Sequence, residues 1–412
     1  MNDDVAGAIE KILRTRSAQV PIRKLKVRFL LRIRDCLSIG NSVALAAATQ
    51  KLDAAEFEIS TQETWCNADE LVSYAKQFNA FFGACPDAFA ALTRLHLQDM
   101  RLGESDLRGI LCTCKRLESL GLYQCDAGIG SVLQIEHATL VELDINHGSF
   151  RTVRLNCLPK LERLTYANWL SNENPLVLCS VPRLSKLNLK HICRSDMTIM
   201  LSDVLAKAPS ITDLLLDFRS EKIWVRPQHP ELLAQFLSKL RTVNLDNIRE
   251  GCSISWTSFI LEAAPSLEEL SVTAWEHKCQ VKSHHSHPQK TNVEWEPSRA
   301  DFKHMNLIKL TIHGFDCMNN FMGYVRRFLE AAVNIKEVFL HDRKVSEICT
   351  DDLDGPEVEA HLSRCPRSSE EKDLLRNKIL EGLVISSSVV IHFRPSCYVS
   401  LPVMRSPRRC NR

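Results

Sequence analysis

The feature that most constrains this chain is the pattern L-x-x-L-x-L, with Ile, Val or Tyr in some leucine places, which returns ten times between residues 92 and 340. In its x-L-x-L part the two apolar side chains point to one side of a strand, because strand side chains alternate. One such unit cannot bury its apolar side alone, whereas stacked units can. The chain is therefore predicted to be a stack of similar units. The first positions of the ten units are Leu92, Leu117, Leu140, Leu161, Leu184, Ile211, Leu240, Leu267, Leu307 and Ile335.

The segments between these strands carry a second pattern, the spacing of an amphipathic helix. Leu107, Ile110 and Leu111 show it, and Pro230 opens another such segment. Most units begin 21 to 29 residues after the previous one, which is typical of leucine-rich repeats. Ten units that keep this spacing argue against the alternative, a βαβ sheet in which the leucines recur by chance. The sequence therefore predicts an α/β leucine-rich-repeat solenoid, a horseshoe with a parallel concave sheet and outer helices.

The prediction divides the chain into three regions. Residues 1–90 are expected to hold degenerate repeats that cap the array, and residues 91–345 the array itself, with a loop at 280–301. Residues 346–412 are expected to form a helix–strand cap and a tail. Ser368 and Glu371 have the spacing of a capping box, which predicts that a helix begins there, and residues 389–393 are predicted to be a strand.

Composition excludes several classes of function. The 52 basic and 50 acidic residues give a net charge of +2, which is not the basic footprint of a nucleic-acid-binding protein. No apolar stretch approaches the ~20 residues that cross a bilayer, and the start is not a secretory signal. Sixteen cysteines in such a chain indicate reduced thiols in the cytoplasm or nucleus. Because no nucleophile or phosphate-binding motif appears, we expect no enzyme, no cofactor and no metal, with neither nucleic acid nor membrane as a partner.

The predicted binding surface is the concave sheet face, formed by the residues that alternate with the leucines. Acidic residues at 142 and 144 are followed by basic residues at 163, 186 and 190, and acidic residues return at 213, 217, 246 and 269. This order fits a basic stripe for a partner with a central acidic segment, and it equally fits an ordinary solvated sheet face. The candidate partner-binding residues are Arg94, His96, Tyr123, Glu142, Asp144, Arg163, Lys186, Lys190, Asp213, Asp217, Asp246 and Glu269.

Several segments resemble one plant family. They include LPKLERLTYANW at 158–169, ILEAAPSLEEL at 260–270, NFMGYVRRFLEAAVNIKEVFLHDR at 320–343 and the helix SSEEKDLLRNKIL at 368–380. The chain resembles the grass-type F-box/leucine-rich-repeat proteins with an FBD-like C-terminus, from about Asp4 to Phe393. The resemblance implies that the repeats bind an unknown target protein as the substrate-binding part of a cullin-RING ubiquitin ligase.

One departure from that family concerns the F-box, which binds the Skp-type adaptor. An F-box opens with Leu-Pro, but the only Leu-Pro pairs here are Leu158-Pro159 and Leu401-Pro402. We therefore expect these 412 residues to lack an F-box and to bind the adaptor and cullin only if a preceding F-box is present. The alternative is a stand-alone interaction or decoy protein.

Overall fold

The computed structural model describes residues 2–15, 20–49, 52–62, 66–169, 175–191, 198–219, 223–249, 254–275, 302–315, 321–342, 366–384 and 388–394. They form two compact units, Met1–Leu187 with Ala206–Ser210, and Asn188–Leu205 with Ile211–Arg412. The predicted loop at 280–301 and the predicted tail after residue 394 lie outside the described residues. Within the described ranges, no helix is long and apolar enough to cross a membrane.

The first unit is built on parallel strands that bury the leucine pattern on one face. Leu120 pairs in register with Leu143, and Leu143 with Leu164, and each is at most 1% exposed. The leucines therefore form a continuous buried row. In spatial order the strands are β1 (Ile22–Leu30), β2 (Leu52–Ser60), β3 (Leu92–Gln98), β4 (Ser119–Tyr123), β6 (Glu142–Asn146) and β8 (Arg163–Ala167). Strand β10 (Lys186–Lys190) comes next in the sheet order, and its residues are divided between the two units.

The segments behind this sheet change from helices to strands along the first unit. Helices come first: α1 (Asn2–Thr15), α2 (Ile33–Thr49), α3 (Ala68–Ala84), α4 (Pro86–Ala90) and α5 (Glu104–Thr113). A second parallel sheet then follows, with β5 (Val132–Glu136), β7 (Thr152–Cys157) and β9 (Leu176–Leu178). The prediction of outer helices does not extend to these segments. Their residues alternate between buried and exposed, and the repeats here begin only 21 to 23 residues apart, which favours extended chain over a helix.

The second unit continues the same plan with helices. Its strands β11 (Asp213–Asp217), β12 (Thr242–Arg249), β13 (Glu269–Trp275), β14 (Lys309–His313), β15 (Glu337–His341) and β16 (Val390–Arg394) are parallel and follow in chain order. Its helices are α6 (Leu201–Leu205), α7 (Pro230–Leu237), α8 (Ser258–Ala263), α9 (Phe321–Ala331) and α10 (Ser369–Leu380). The predicted α/β fold with a parallel sheet is confirmed.

Near the C-terminus, where the sequence predicts a helix and a strand, the structure has α10 and β16. Ser368 accepts from the backbone N–H of Glu371 and the Glu371 side chain accepts from that of Ser368, which is the capping box. At the other end of α10, the Arg326 guanidinium donates to the carbonyl oxygens of Lys378, Ile379 and Glu381. A cation at a helix C-terminus is stabilising. Strand β16 pairs with β15 and therefore belongs to the main sheet.

Seven residues at or near strand ends have left-handed backbone. At several of them the backbone N–H continues the ladder by donating to a carbonyl oxygen at the strand end of the next repeat: Asp99 donates to Tyr123 at 2.9 Å, Gln124 to Asn146 at 2.8 Å and Gly314 to His341 at 3.1 Å. The chain thus turns at the ends of these strands while its backbone N–H groups remain hydrogen-bonded. The residues with this conformation are Asp99, Gln124, His147, Asn168, Arg219, Asn247 and Gly314, with φ between 50° and 82°.

Two buried histidines stabilise equivalent turns, one in each unit. The ring Nε2 of His137 donates to the carbonyl of Cys114 at 3.1 Å, and that of His304 to the carbonyl of Ala264 at 2.9 Å. The Nδ1 of His304 accepts from the backbone N–H of Leu307 at 3.0 Å. Each histidine stands three residues before the first leucine of its repeat, where other repeats have an apolar residue such as Leu158. Both imidazoles are therefore neutral in the folded chain.

These histidines predict a loss of stability in mild acid. Burial lowers the pKa of His137 and His304, and it lowers that of His191 to about 4. An unfolded histidine has a pKa of ~6.5, so below that pH the unfolded chain binds more protons and folding stability falls. We expect the thermal midpoint to decrease as the pH is lowered from about 7.5 to about 5. His304→Asn should be less stable at neutral pH and show a shallower decrease, whereas a midpoint independent of pH would contradict the assignment.

Candidate functional site

The surface that can bind a partner is the solvent face of the main sheet, defined as the side chains that alternate with the buried leucines. In the first unit it consists of rows of facing residues. One row runs Lys26, Glu56, Arg94, Ser119, Glu142 and Arg163, and the next runs Arg28, Glu58, His96, Gly121, Asp144 and Thr165. Of the candidates, Arg94, Asp144 and Arg163 are exposed and Glu142 is half-buried.

An ion-pair network joins side chains of five strands of this face, β1, β2, β3, β6 and β8. Lys24 Nζ lies 2.7 Å from Glu56 Oε1, and Arg94 Nε lies 3.9 Å from the same oxygen. Arg94 Nη2 also lies 3.1 Å from Glu142 Oε2, and Arg163 Nε lies 3.6 Å from Glu142 Oε1. Opposite charges therefore alternate from β1 to β8. The structure brings the predicted residues Arg94, Glu142 and Arg163 together.

Small residues on β4 make this network possible. Ser119 stands between Arg94 and Glu142 in the row, and its Oγ donates to Glu142 Oε2 at 3.1 Å. Gly121 is the next residue on that face, and a Cβ there would overlap the imidazole of His96. His96 is therefore half-buried over the strand, and burial lowers its pKa. It contributes mainly to packing.

Glu58 is held by a second pair of cations on β1. Arg28 Nε lies 2.5 Å and Lys26 Nζ 3.2 Å from Glu58 Oε2. Partial burial is the largest single influence on the pKa of Glu58 and raises it, but the hydrogen bonds and the charges of Lys26 and Arg28 together outweigh burial and lower the pKa. Exposed pairs of this kind contribute little free energy, ~0–1 kcal/mol each. The main effect of these ion pairs is to fix the positions of charged side chains on the solvent face.

A polar cluster lies where the strands of the first unit end. The rings of Tyr123 and His147 meet edge-to-face at 5.7 Å, and Asn168 Nδ2 donates to Asn146 Oδ1 at 2.9 Å and to His147 Nε2 at 3.0 Å. Asp99, which is fully buried, accepts from Thr61 Oγ1 at 2.6 Å. Tyr123, one of the predicted binding residues, thus belongs to a cluster of side chains that hold one another in position.

The predicted basic stripe consists of Arg163 on β8 and two lysines on β10. Lys186 is exposed and Lys190 is half-buried, on the same face of their strand, while Leu187 and Leu189 are buried on the other. Arg163 lies 3.6 Å from both Glu142 and Glu162, so its charge is partly balanced. The predicted excess of positive charge is therefore weaker at Arg163.

The predicted acidic residues of the second unit differ in their surroundings. Asp217 is buried, and its Oδ1 accepts from the backbone N–H of Arg219 and from Asn247 Nδ2, both at 2.9 Å. It therefore stabilises the turn after β11. Asp246 accepts from Thr273 Oγ1 at 3.3 Å, and Glu269 lies 3.1 Å from Lys309 Nζ. Asp213 is half-buried and accepts from the hydroxyl of Thr212 at 2.6 Å.

The last three strands carry functional candidates that the sequence reasoning did not find. Phe339, His392 and Arg394 lie on the solvent face because β16 pairs with β15 in register. The sequence predicts β16 as part of a separate cap, although Val390, His392 and Arg394 alternate with two buried residues, which is the pattern of a sheet strand. We name the ring cluster of His313, Phe339, His341 and His392 the aromatic platform.

The arrangement as a whole offers charged and aromatic groups at fixed positions for non-covalent binding. In the part of the chain that the structure describes, no three His, Cys, Asp or Glu side chains are grouped so that they could hold a metal ion. What the solvent face presents is a broad, open surface of strand side chains, which suits contact with another macromolecule.

Comparison with known proteins identifies the repeats. The family model described as At1g61320/AtMIF1, LRR domain, matches residues 80–372, which is more than half of the chain. No curated protein matches the chain. The matched residues include the leucine pattern from Leu92 onward and strands β3 to β15. The chain therefore belongs to the At1g61320/AtMIF1-type family of plant leucine-rich-repeat domains.

Proposed function

We propose that this protein binds a target protein on the solvent face of its sheet, as the substrate-binding part of a cullin-RING ubiquitin ligase receptor. Leucine-rich-repeat domains of this family are protein–protein interaction modules, typically without catalytic activity. The observation that carries the location is the ion-pair network, which orders Arg94, Glu142 and Arg163 on one exposed surface. Pre-ordered side chains lose less entropy when a partner binds.

The ligase assignment is supported by resemblance to F-box/leucine-rich-repeat proteins. In that group an F-box supplies the adaptor contact and the repeats supply the target contact. In this chain the strands β1 and β2 belong to the repeat sheet. Val27 and Phe29 of β1 and Phe57 of β2 are buried in the repeat core. Those apolar residues are therefore not available for an adaptor.

The second candidate function is a stand-alone interaction or decoy protein. It would bind the same target on the same face but would not deliver it for ubiquitination. The burial of Val27, Phe29 and Phe57 favours this candidate for the 412 residues taken alone. The two functions share one binding surface and differ in whether an adaptor is recruited.

Adaptor recruitment is tested by mixing the purified 412-residue chain with a plant Skp-type adaptor on size exclusion. We expect no co-elution, because residues 22–60 form repeat strands and helix and not a compact adaptor-binding unit. The same chain placed behind an F-box should co-elute with the adaptor in a one-to-one complex. Expressed in plant tissue, the F-box form should lower target abundance in a proteasome-dependent way, as a ligase receptor does. Target levels that stay unchanged with the F-box form would favour the stand-alone function.

A further inference from the structure

The solvent face of the last three strands, β14 to β16, differs from the rest of the second unit. In register, Thr311 faces Phe339 and Phe339 faces His392, while His313 faces His341 and His341 faces Arg394. Val338, Leu340 and Ile391 point the other way and are buried. Rings therefore occupy four neighbouring positions of two rows.

These rings contact each other and form one surface. The ring centroids of Phe339 and His392 are 4.5 Å apart with planes inclined by 11°, and those of His313 and His341 are 4.3 Å apart at 26°. Phe339 and His341 lie 6.4 Å apart and connect the two pairs. Aromatic side chains have only two rotatable angles, so a partner that packs on them restricts little motion.

The aromatic platform stands beside smaller residues. Ser271 on β13 and Thr311 on β14 precede Phe339 in the same row, and both are half-buried. A side chain of a partner laid over Ser271 and Thr311 would therefore meet the ring of Phe339. Two cations lie near that ring, Lys309 Nζ at 5.8 Å and the Arg394 guanidinium at 6.0 Å from its centroid.

The charges around the platform are arranged unevenly. The row at the strand ends consists of His313, His341 and Arg394 and contains no carboxylate on these three strands. The acidic residues lie two rows away, at the start of the strands, where Glu269 lies 3.1 Å from Lys309 Nζ and Glu337 lies 3.6 Å from His392 Nε2. Asp342 follows β15 and is buried. The strand-end row thus favours an anionic group over a cationic one.

We propose that the aromatic platform anchors an extended segment of the partner protein in which an aromatic side chain is flanked by carboxylates. The aromatic side chain packs over Thr311 against Phe339, and the carboxylates lie beside His313, His341 and Arg394. This inference rests on the proposed recognition function and assigns it a place and a partner chemistry.

Binding at this place is coupled to proton uptake. In the free chain, burial and then the charge of Arg394 lower the pKa of His341. A carboxylate placed beside His341 favours the charged form of that imidazole and raises its pKa. His341 faces His313 on β14 and Arg394 on β16, and Asp342 follows it in the chain. The other titratable groups on the solvent face of these strands and of β13 are Glu269, Lys309, Glu337 and His392. Affinity therefore rises as the pH falls from about 7.5 to about 6.

The test is a displayed library of random peptides, each about twelve residues long, selected on the full chain at both pH values. We expect sequences with an aromatic residue between Asp or Glu residues to be enriched at least about tenfold, and more strongly near pH 6. The selected peptides should lose at least about tenfold in affinity on Phe339→Ala and on Arg394→Glu. Lys239→Glu, an exposed charge reversal in the second unit before β12, should bind like the native chain. Unchanged thermal midpoints show that the variants are folded.

Two results separate the platform from the broader function. If the selected peptides bind the Phe339→Ala and Arg394→Glu variants as tightly as the native chain but do not bind the Arg163→Glu variant, the platform proposal is wrong. Recognition by the solvent face would then still stand. Selected peptides with no acidic–aromatic bias would also overturn the platform. A library with no sequence enriched over a blank support would count against both the platform and the recognition function.

Discussion

Replacing Leu143 with aspartate is expected to unfold the first unit at ordinary temperature. Leu143 is 0% exposed and pairs with Leu120 on one side and Leu164 on the other. Removing a buried leucine side chain costs about 2–5 kcal/mol, and burying an unpaired carboxylate adds several kcal/mol. The total approaches the whole stability of an ordinary domain, ~5–15 kcal/mol. Circular dichroism and thermal melting of the purified variant measure the loss.

The matched control for Leu143→Asp lies three residues away on the same strand. Asn146 is half-buried on the solvent face, and its Oδ1 accepts from Asn168 Nδ2 at 2.9 Å. Asn146→Asp keeps the size and that acceptor, so we expect a change in stability of less than ~1 kcal/mol. If the two variants were equally stable, Leu143 would not lie in a core and the stacked-repeat account would fail.

The second large effect is expected for Gly314→Ala in the second unit. Gly314 has φ of 82°, in the left-handed region that favours glycine, and follows β14. A Cβ at this position would overlap the backbone carbonyl oxygen of Ala274 on the neighbouring strand β13. Backbone of two paired strands cannot shift as a flexible side chain can. We expect destabilisation of about 3 kcal/mol or more, because steric overlap is added to the left-handed strain of ~1–2 kcal/mol.

Gly382→Ala separates steric overlap from backbone strain. Gly382 lies in the same unit with a similar φ of 71°, but it is exposed and a Cβ there meets no atom within 4 Å. This control should lose only the strain, ~1–2 kcal/mol. Denaturant titration of the two variants gives both values. Equal losses would show that the close approach of Gly314 to β13 is absent in solution.

Much of the fold follows from the repeat pattern alone. The pattern Leu117, Leu120 and Leu122 predicts β4 because both strand alternation and burial demand those spacings. The same reasoning predicts β16, whose Ile391 and Phe393 are buried. Where the pattern is strong, local sequence and tertiary packing require the same structure, so the local sequence alone is enough to predict it.

The second sheet of the first unit could not be predicted in the same way. The segments at β5, β7 and β9 are three to six residues long, and a short apolar run fits either a strand or part of a helix. Neighbouring repeats decide the outcome, because the strands bond to each other and not within one repeat. Such pairing is non-local, and the sequence of a single segment does not reveal it.

The positions of the candidate site residues could be predicted from the sequence, but their contacts with one another could not. Alternation with the leucines places Arg94, Glu142 and Arg163 on the solvent face, and the structure shows them there. The contact of Arg94 with Glu142 across β4 depends on the small size of Ser119, which spacing alone does not reveal. Asp217 has the same spacing as exposed acids, yet the turn after β11 buries it. Charge order along a sequence therefore overstates the charge that a sheet presents.

The central claim, that a partner protein binds the solvent face, is tested most directly by photocrosslinking from defined positions. A photoreactive phenylalanine analogue would replace Lys186 or Thr311 on the solvent face, and Gln134 on β5 or Leu232 on α7 behind the sheet. Each chain would be irradiated in plant extract, and covalent adducts would be identified by mass spectrometry. We expect one protein to be crosslinked from Lys186, from Thr311 or from both, and not from Gln134 or Leu232. Adducts formed only from Gln134 or Leu232 would contradict it.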